Sequence, residues 1–313
     1  MPSTVPTFDE IRALADAMPP YEAAMRDNTH AALLRTTKSH DLAAFGIAAW
    51  VAAAQRRPVP HIDHVRCVVF AAAHGVALDL PGGCAVDIAL EIDHMLDQDG
   101  EAAQTAREWA CDLKLYDLAV ERPTRDSRLM PAMTEAETAT AASYGMMTVE
   151  PDVEAVSIAA LGAMGDIAGA SLIAALMPGA ARAPSEYDAR IDSALAAHRA
   201  LSDPLALMAA LGGPDIAAML GAILAARLAG IPVILDGLAA HAAAAVASRL
   251  RSDAADHCRF ATKKSKGLIS LTGGLPLDGQ LFWSVATPGA GMIALHTIRE
   301  SASFVERRLL AEL

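Results

Sequence analysis

The chain has 313 residues, 53% hydrophobic and 20% charged, which excludes intrinsic disorder and suits one large α/β unit with a small helical appendage. Asp plus Glu outnumber Lys plus Arg by 37 to 25, a net charge of −12, and no long basic run offsets it, so nucleic-acid binding by counterion release is not expected. The mean hydropathy of +0.30 comes mainly from alanine, and Arg227, Pro232, Thr287, Pro288 and His296 interrupt the most apolar stretches before they reach the roughly 20 residues of a membrane span.

Phe8, Ile11, Leu14 and Met18 recur at helical spacing, Pro19-Pro20 stops that turn, and further helices are predicted over Tyr21–Leu34 and Leu42–Ala54. The start of the chain has early acids and no basic run before an apolar core, so no signal peptide is read there. Cys67, Cys84, Cys111 and Cys258 are far apart, as in a reduced cytoplasmic protein. His61 and His64 form an HxxH with no further ligand run nearby, so no metal site is expected.

Arg66–Ala73 is continuously apolar after its first residue and closes on His74-Gly75, the pattern of a buried parallel strand. Asp112–Val120 alternates as a strand, and Val156–Leu161, Ile231–Leu235 and Leu268–Leu271 are apolar and close on glycine turns. Helices lie between them. Asp203-Pro204 opens one that Gly212-Gly213 ends, and Pro214-Asp215 opens the next, to about Leu228. Gln280–Leu313 returns to helix. The predicted fold is a doubly wound, mostly parallel α/β sheet over 40–278, with a small helical lobe formed by 1–39 and 279–313.

Ligands of such sheets bind beyond the carboxyl ends of the strands. That rule gathers His74-Gly75, Gly162–Gly169, Asp236-Gly237 and Thr272–Gly274 around one mouth. Gly162, Gly165 and Gly169, between a strand and a helix, suit either a phosphate cradle or a structural tight turn. Arg190 is either a partner for a phosphate or carboxylate or part of a solvated helix face. The basic knot Lys263-Lys264-Ser265-Lys266 is read as an anion site or a surface turn, and Asp236 as catalytic or as a loop cap.

The segment Leu211-Gly-Gly-Pro-Asp-Ile-Ala-Ala-Met-Leu-Gly-Ala-Ile-Leu224, followed by Gly230-Ile-Pro-Val-Ile-Leu-Asp-Gly237, resembles the nicotinate-nucleotide:dimethylbenzimidazole phosphoribosyltransferase family. Collinear matches at Ala73-His-Gly-Val76, Thr124-Arg-Asp126, Pro131-Ala-Met-Thr134, the Gly162 loop, Asp203-Pro204 and Ala290–Leu295 extend the resemblance over nearly the whole chain. It implies a homodimer, no cofactor, and transfer of 5-phosphoribose from nicotinate mononucleotide to an aromatic base in cobamide lower-ligand synthesis.

The chain departs from the family pattern at its acids. Thr287, in Val285-Ala-Thr-Pro-Gly-Ala-Gly291, stands where the family has its general-base glutamate; Ala163 replaces a second glutamate, and Ala73 replaces an aspartate. Arg190 stands for the donor-gripping lysine. Under the transferase reading, Gly162, Gly165, Gly169 and Arg190 hold the phosphate, and His74, Gly75 and Thr287 border the acceptor. Asp236-Gly237 completes the cleft, and Asp166 or Asp236 supplies the base. The alternatives are a subunit of a heterodimer with a homologous chain, or a nucleotide-binding protein without catalysis.

Overall fold

The computed structural model describes residues 6–36, 42–162, 165–178, 185–261 and 289–310. Five strands form one parallel sheet: β1 (Val65–Ala71), β2 (Cys111–Asp117), β3 (Ala155–Leu161), β4 (Val233–Asp236) and β5 (Cys258–Phe260). Their spatial order is β2-β1-β3-β4-β5. The chain passes from β1 outward to β2 and then returns across β1 to β3. The winding therefore reverses between β1 and β3, the position where open parallel sheets leave a crevice for ligands.

Side chains alternate across the central strands. Val68, Phe70, Val156, Ile158, Val233 and Leu235 point into one core, and Cys67, Val69, Ala155, Ala159 and Ile234 into the other. The first core is closed by α6 (Glu135–Met146), α7 (Gly165–Leu176), α9 (Pro204–Leu211), α10 (Pro214–Ala229) and α11 (Leu238–Leu250). The second is closed by α3 (Leu42–Gln55), α4 (Ala85–Leu96), α5 (Glu101–Glu108) and α12 (Gly289–Leu310). Helix α8 (Asp188–Ala197) packs on α7.

Local chemistry sets the helix ends that matter for the site. The Asp203 carboxylate accepts from the N–H groups of Leu205 (3.1 Å) and Ala206 (2.9 Å), and Pro204 occupies the first position of α9. Pro214 starts α10 in the same way, and Gly230, at φ +76°, ends it in the left-handed conformation. These two caps fix where Asp215 stands, in the first turn of α10.

The two N-terminal helices go to different places. Helix α1 (Phe8–Ala17) packs against α6, α10 and α11 through Phe8, Ile11 and Ala15. Helix α2 (Ala23–Thr36) packs with α3 and α12, where Leu33, Phe45, Ala48 and Val305 meet. Helix α12 itself lies across β1, β3 and β4, with Met292, Leu295 and Ile298 in the core. Among the described residues, no helix is long and apolar enough to cross a membrane.

Candidate active site

The sequence-predicted residues around His74, Gly162 and Asp236 all fall at the carboxyl ends of β1, β3 and β4. His74 follows β1 and caps a short 3₁₀ turn, Gly75–Ala77. Gly162 follows β3 at φ +118°, and Asp236 is the last residue of β4, before Gly237 at φ +85°. Ala163, Lys263, Lys264, Lys266, the strand predicted at Leu268–Leu271, Thr272–Gly274, Thr287 and Pro288 lie outside the described residues.

A buried ion pair occupies the crevice. His74 Nε2 lies 3.2 Å from Asp215 Oδ2, with side chains 3% and 1% exposed. The glycine at 213 makes this possible, since a Cβ there would overlap the His74 imidazole and come 2.7 Å from Asp215 Oδ1. A Cβ at Gly165 would likewise press on the pair, 3.3 Å from Asp215 Oδ2 and 3.4 Å from His74 Nε2. Gly213-Pro214-Asp215 is thus one device: room for an imidazole, a helix start, and the carboxylate that holds the imidazole.

Burial disfavours the imidazolium, yet the charge and hydrogen bond of Asp215, with the nearby charge of Asp166, outweigh it and hold the His74 pKa above its ordinary value. The pKa of Asp166, in the first turn of α7, is raised by burial and then by Asp215, while His74 pulls the other way. The crevice therefore gathers one imidazole and two carboxylates whose charges act on one another. His74 Nδ1 and Asp215 Oδ1 have no hydrogen-bond partner among the described residues.

Asp236 sits under α12. Its Oδ2 accepts from the Gly291 N–H at 2.8 Å, and burial still raises its pKa to about 6. A Cβ at Gly291 would lie 2.8 Å from Ser157 Oγ and 3.1 Å from Asp236 Oδ2, so the helix start fits tightly over both. Asp236 thus both anchors α12 and titrates in a range useful for proton transfer.

Several glycines and Arg190 have partners that the sequence did not reveal. The Gly75 N–H donates to Thr124 Oγ1 (2.9 Å), and the Gly165 N–H to the Gly162 carbonyl (3.1 Å). Gly169, one turn into α7, faces the Leu238–Ala239 backbone, so its missing side chain serves helix packing and not the phosphate contact expected of it. Arg190 makes a bidentate pair with Asp79, at 2.7 Å for both bonds, and donates to the Val76 carbonyl at 2.9 Å. That guanidinium pulls the Asp79 pKa down to about 2. Arg190 is therefore not a solvated cation: it pins the loop that carries His74, and a phosphate would have to displace Asp79 to reach it.

Two acids escaped the sequence reading. Asp215 was visible only as a helix-start residue, because its partner is 141 positions away. Glu91 lies on α4 with Ile88 and Met95, which share one buried stripe of that helix. Its Oε2 is buried without a hydrogen-bond partner among the described residues. Burial, and then Asp87, raise its pKa, and the Gly162 backbone N–H offsets part of this. The signal was present in the pattern, as an acid at an inward-facing helical position.

Beside the crevice, a cavity of about 830 Å³ opens between the end of β2 and α6, lined by Tyr116, Arg122, Thr124, Glu137, Tyr144 and Pro214. Thr124 and Pro214 connect its wall to Gly75 and Asp215. Among the described residues, no group of three or more His, Cys, Asp or Glu is arranged to hold a metal ion.

A family model described as phosphoribosyltransferase matches residues 18–271. The nicotinate-nucleotide–dimethylbenzimidazole phosphoribosyltransferase of Methylocella silvestris is 34% identical over 269 residues, covering 80% of this chain and 78% of that protein. The enzyme of the same name from Mesorhizobium japonicum is 36% identical over 225 residues, 67% of each chain. The crystal structure of the Thermus thermophilus enzyme superposes with a TM-score of 0.74 at 23% identity, covering 89% of this chain and 95% of that one, which shows a shared fold. On the family match and these identities, the chain belongs to the nicotinate-nucleotide–dimethylbenzimidazole phosphoribosyltransferase family.

Proposed function

We propose that this protein transfers the 5-phosphoribosyl group of nicotinate mononucleotide to an aromatic base, making the lower-ligand nucleotide of cobamides. The observation that carries the reading is the identity of 34% across 80% of the chain with a relative of that name. The crevice supports it chemically. The pyridinium of the donor is already cationic and leaves as neutral-ring nicotinate with little acid help, so the reaction needs orientation, stabilisation of positive charge on the sugar, and removal of the acceptor's proton.

The charge order of the crevice fits those needs. On this reading Asp166 and Asp215 stabilise the positive charge that develops on an oxocarbenium-like carbon. A phosphate dianion would be repelled from these acids and drawn to the rim. There the Gly162 turn, the start of α7, Gly237 and Arg190 stand, with Arg128 4.0 Å from Asp79. On this reading the phosphate exchanges for Asp79 on Arg190, and the loop carrying His74 responds to donor binding. Asp236 is a third acid of the cleft, and Thr287 and Gly75 border the acceptor. Residues 40–278 carry most of the cleft, the chain ends pack on that unit rather than forming a separate lobe, with α12 across its sheet, and the enzyme works as a cytoplasmic homodimer without a cofactor.

Incubating the purified chain with nicotinate mononucleotide and a panel of azoles and phenols, with mass spectrometry of the products, tests the proposal. The expected result is a ribotide of at least one base with one equivalent of nicotinate. No product, together with no thermal stabilisation by the nucleotide, would overturn it.

A further inference from the structure

The acceptor must lose a proton during transfer, and most acids at the mouth are already engaged. His74 is tied to Asp215 through Nε2, 3.2 Å from Oδ2, with its pKa raised by that carboxylate. Asp166 interacts electrostatically with the same pair. Asp236 accepts from Gly291 beneath α12. Glu91 enters from α4, on the opposite face of the sheet from α7 and α10; the Gly162 backbone N–H acts on its carboxylate, and its Oε2 is buried with no hydrogen-bond partner among the described residues.

The position of Glu91 is set by packing. A Cβ placed on Gly162 would lie 3.6 Å from Ile88 Cδ1, so the buried stripe of α4 lies directly over the turn that follows β3. Glu91 is three residues further along that stripe, between Ile88 and Met95. A buried carboxylate oxygen without a partner costs stability. Its raised pKa, from burial and the neighbouring Asp87, brings it closer to the operating pH of a general base.

From this geometry we infer that Glu91 is the catalytic residue that takes the proton of the acceptor base, a role that deepens and rests on the transferase reading above. The unprotonated ring nitrogen of the acceptor attacks C1′ of the donor with its lone pair. The C1′–N bond to the pyridinium breaks, its electron pair stays with the departing nitrogen, and nicotinate leaves. The proton on the acceptor's second nitrogen passes to the Glu91 carboxylate, and then to solvent as product departs.

N-methylated acceptors test this, because 1-methylbenzimidazole attacks in the same way but has no N–H proton to lose. Glu91→Gln should lower transfer to benzimidazole by ~10²-fold or more, while transfer to 1-methylbenzimidazole changes less than about twofold. Glu91→Asp, which keeps the charge one methylene short, should recover part of the benzimidazole rate; it also carries the test if the Gln variant fails to fold. Equal losses on both acceptors, or no loss on either, would overturn the role of Glu91 and leave the transferase reading intact. Absence of transfer by the unsubstituted enzyme to any acceptor would overturn both.

Discussion

At the amino ends of the strands, Arg66 donates to Asp112 (2.7 Å), Glu150 (3.1 Å) and the Thr148 carbonyl (3.2 Å). Close by, Arg251 and Arg227 share Asp253 and tie the carbonyls of Ala15, Met18 and Pro19 to the domain. His61 bridges to Glu306 at 3.0 Å, with Asp63 and Glu154 nearby. At the carboxyl ends of the same strands, His74 Nδ1, Asp215 Oδ1 and Glu91 Oε2 are buried without partners among the described residues. The Tyr21 hydroxyl, the Ser157 hydroxyl inside β3 and the Ser127 hydroxyl are also buried without partners among the described residues. A buried polar atom left unpaired costs about 1–3 kcal/mol. The sheet thus uses its polar groups for stability at one end and leaves them available for a ligand at the other.

The contrast is open to breaking. Asp215→Ala should have the largest effect, because it leaves the His74 imidazole buried alone; the unfolding free energy in urea should fall by ~3–5 kcal/mol, and transfer should be lost. Stability unchanged within error would show that the pair is not the linchpin of the crevice. Arg66→Met removes a buried cation at the other end and should cost ~1–3 kcal/mol with kcat/KM unchanged; a large kinetic effect would erase the distinction between the two ends.

Asp236 gives a pH signature. Its pKa rises from 3.8 unfolded to about 6 folded, so the native state holds more protons between those values and stability falls as pH climbs through that window. The fall should be about 3 kcal/mol, levelling off above pH 6, and Asp236→Asn should remove that contribution in urea melts run from pH 4 to 7. The smallest effect is at the rim. Arg190→Ala should weaken nicotinate mononucleotide binding by ~10-fold, read by thermal shift, and by far more than Thr287→Ala. Equal losses would mean that the phosphate sits elsewhere.

Much of the fold was readable from the chain. Strands β1, β3 and β4 announce themselves as apolar runs closing on glycine, and Asp203-Pro204 and Pro214 mark helix starts through local backbone chemistry. Strand β5 was not readable, since Cys258–Phe260 is too short to show a period. The site was legible as a set of loops, because parallel strands deliver their ends to one side. Its partnerships were not: His74 with Asp215, Arg190 with Asp79, and Gly169 with α11 depend on how distant segments pack. Glu91 is the intermediate case, an acid in an inward helical stripe that local pattern does contain.

Helix α12 begins against Asp236 at the ligand end of the sheet, runs across β4, β3 and β1, and reaches His61 through Glu306 at the far end. During synthesis, everything up to β5 leaves the ribosome before Met292, Leu295 and Ile298 can cover Cys67, Val69 and Ile234. Until then the sheet keeps bare the part of that apolar flank which α3, α4 and α5 do not cover, so loss of α12 should make this chain prone to aggregate.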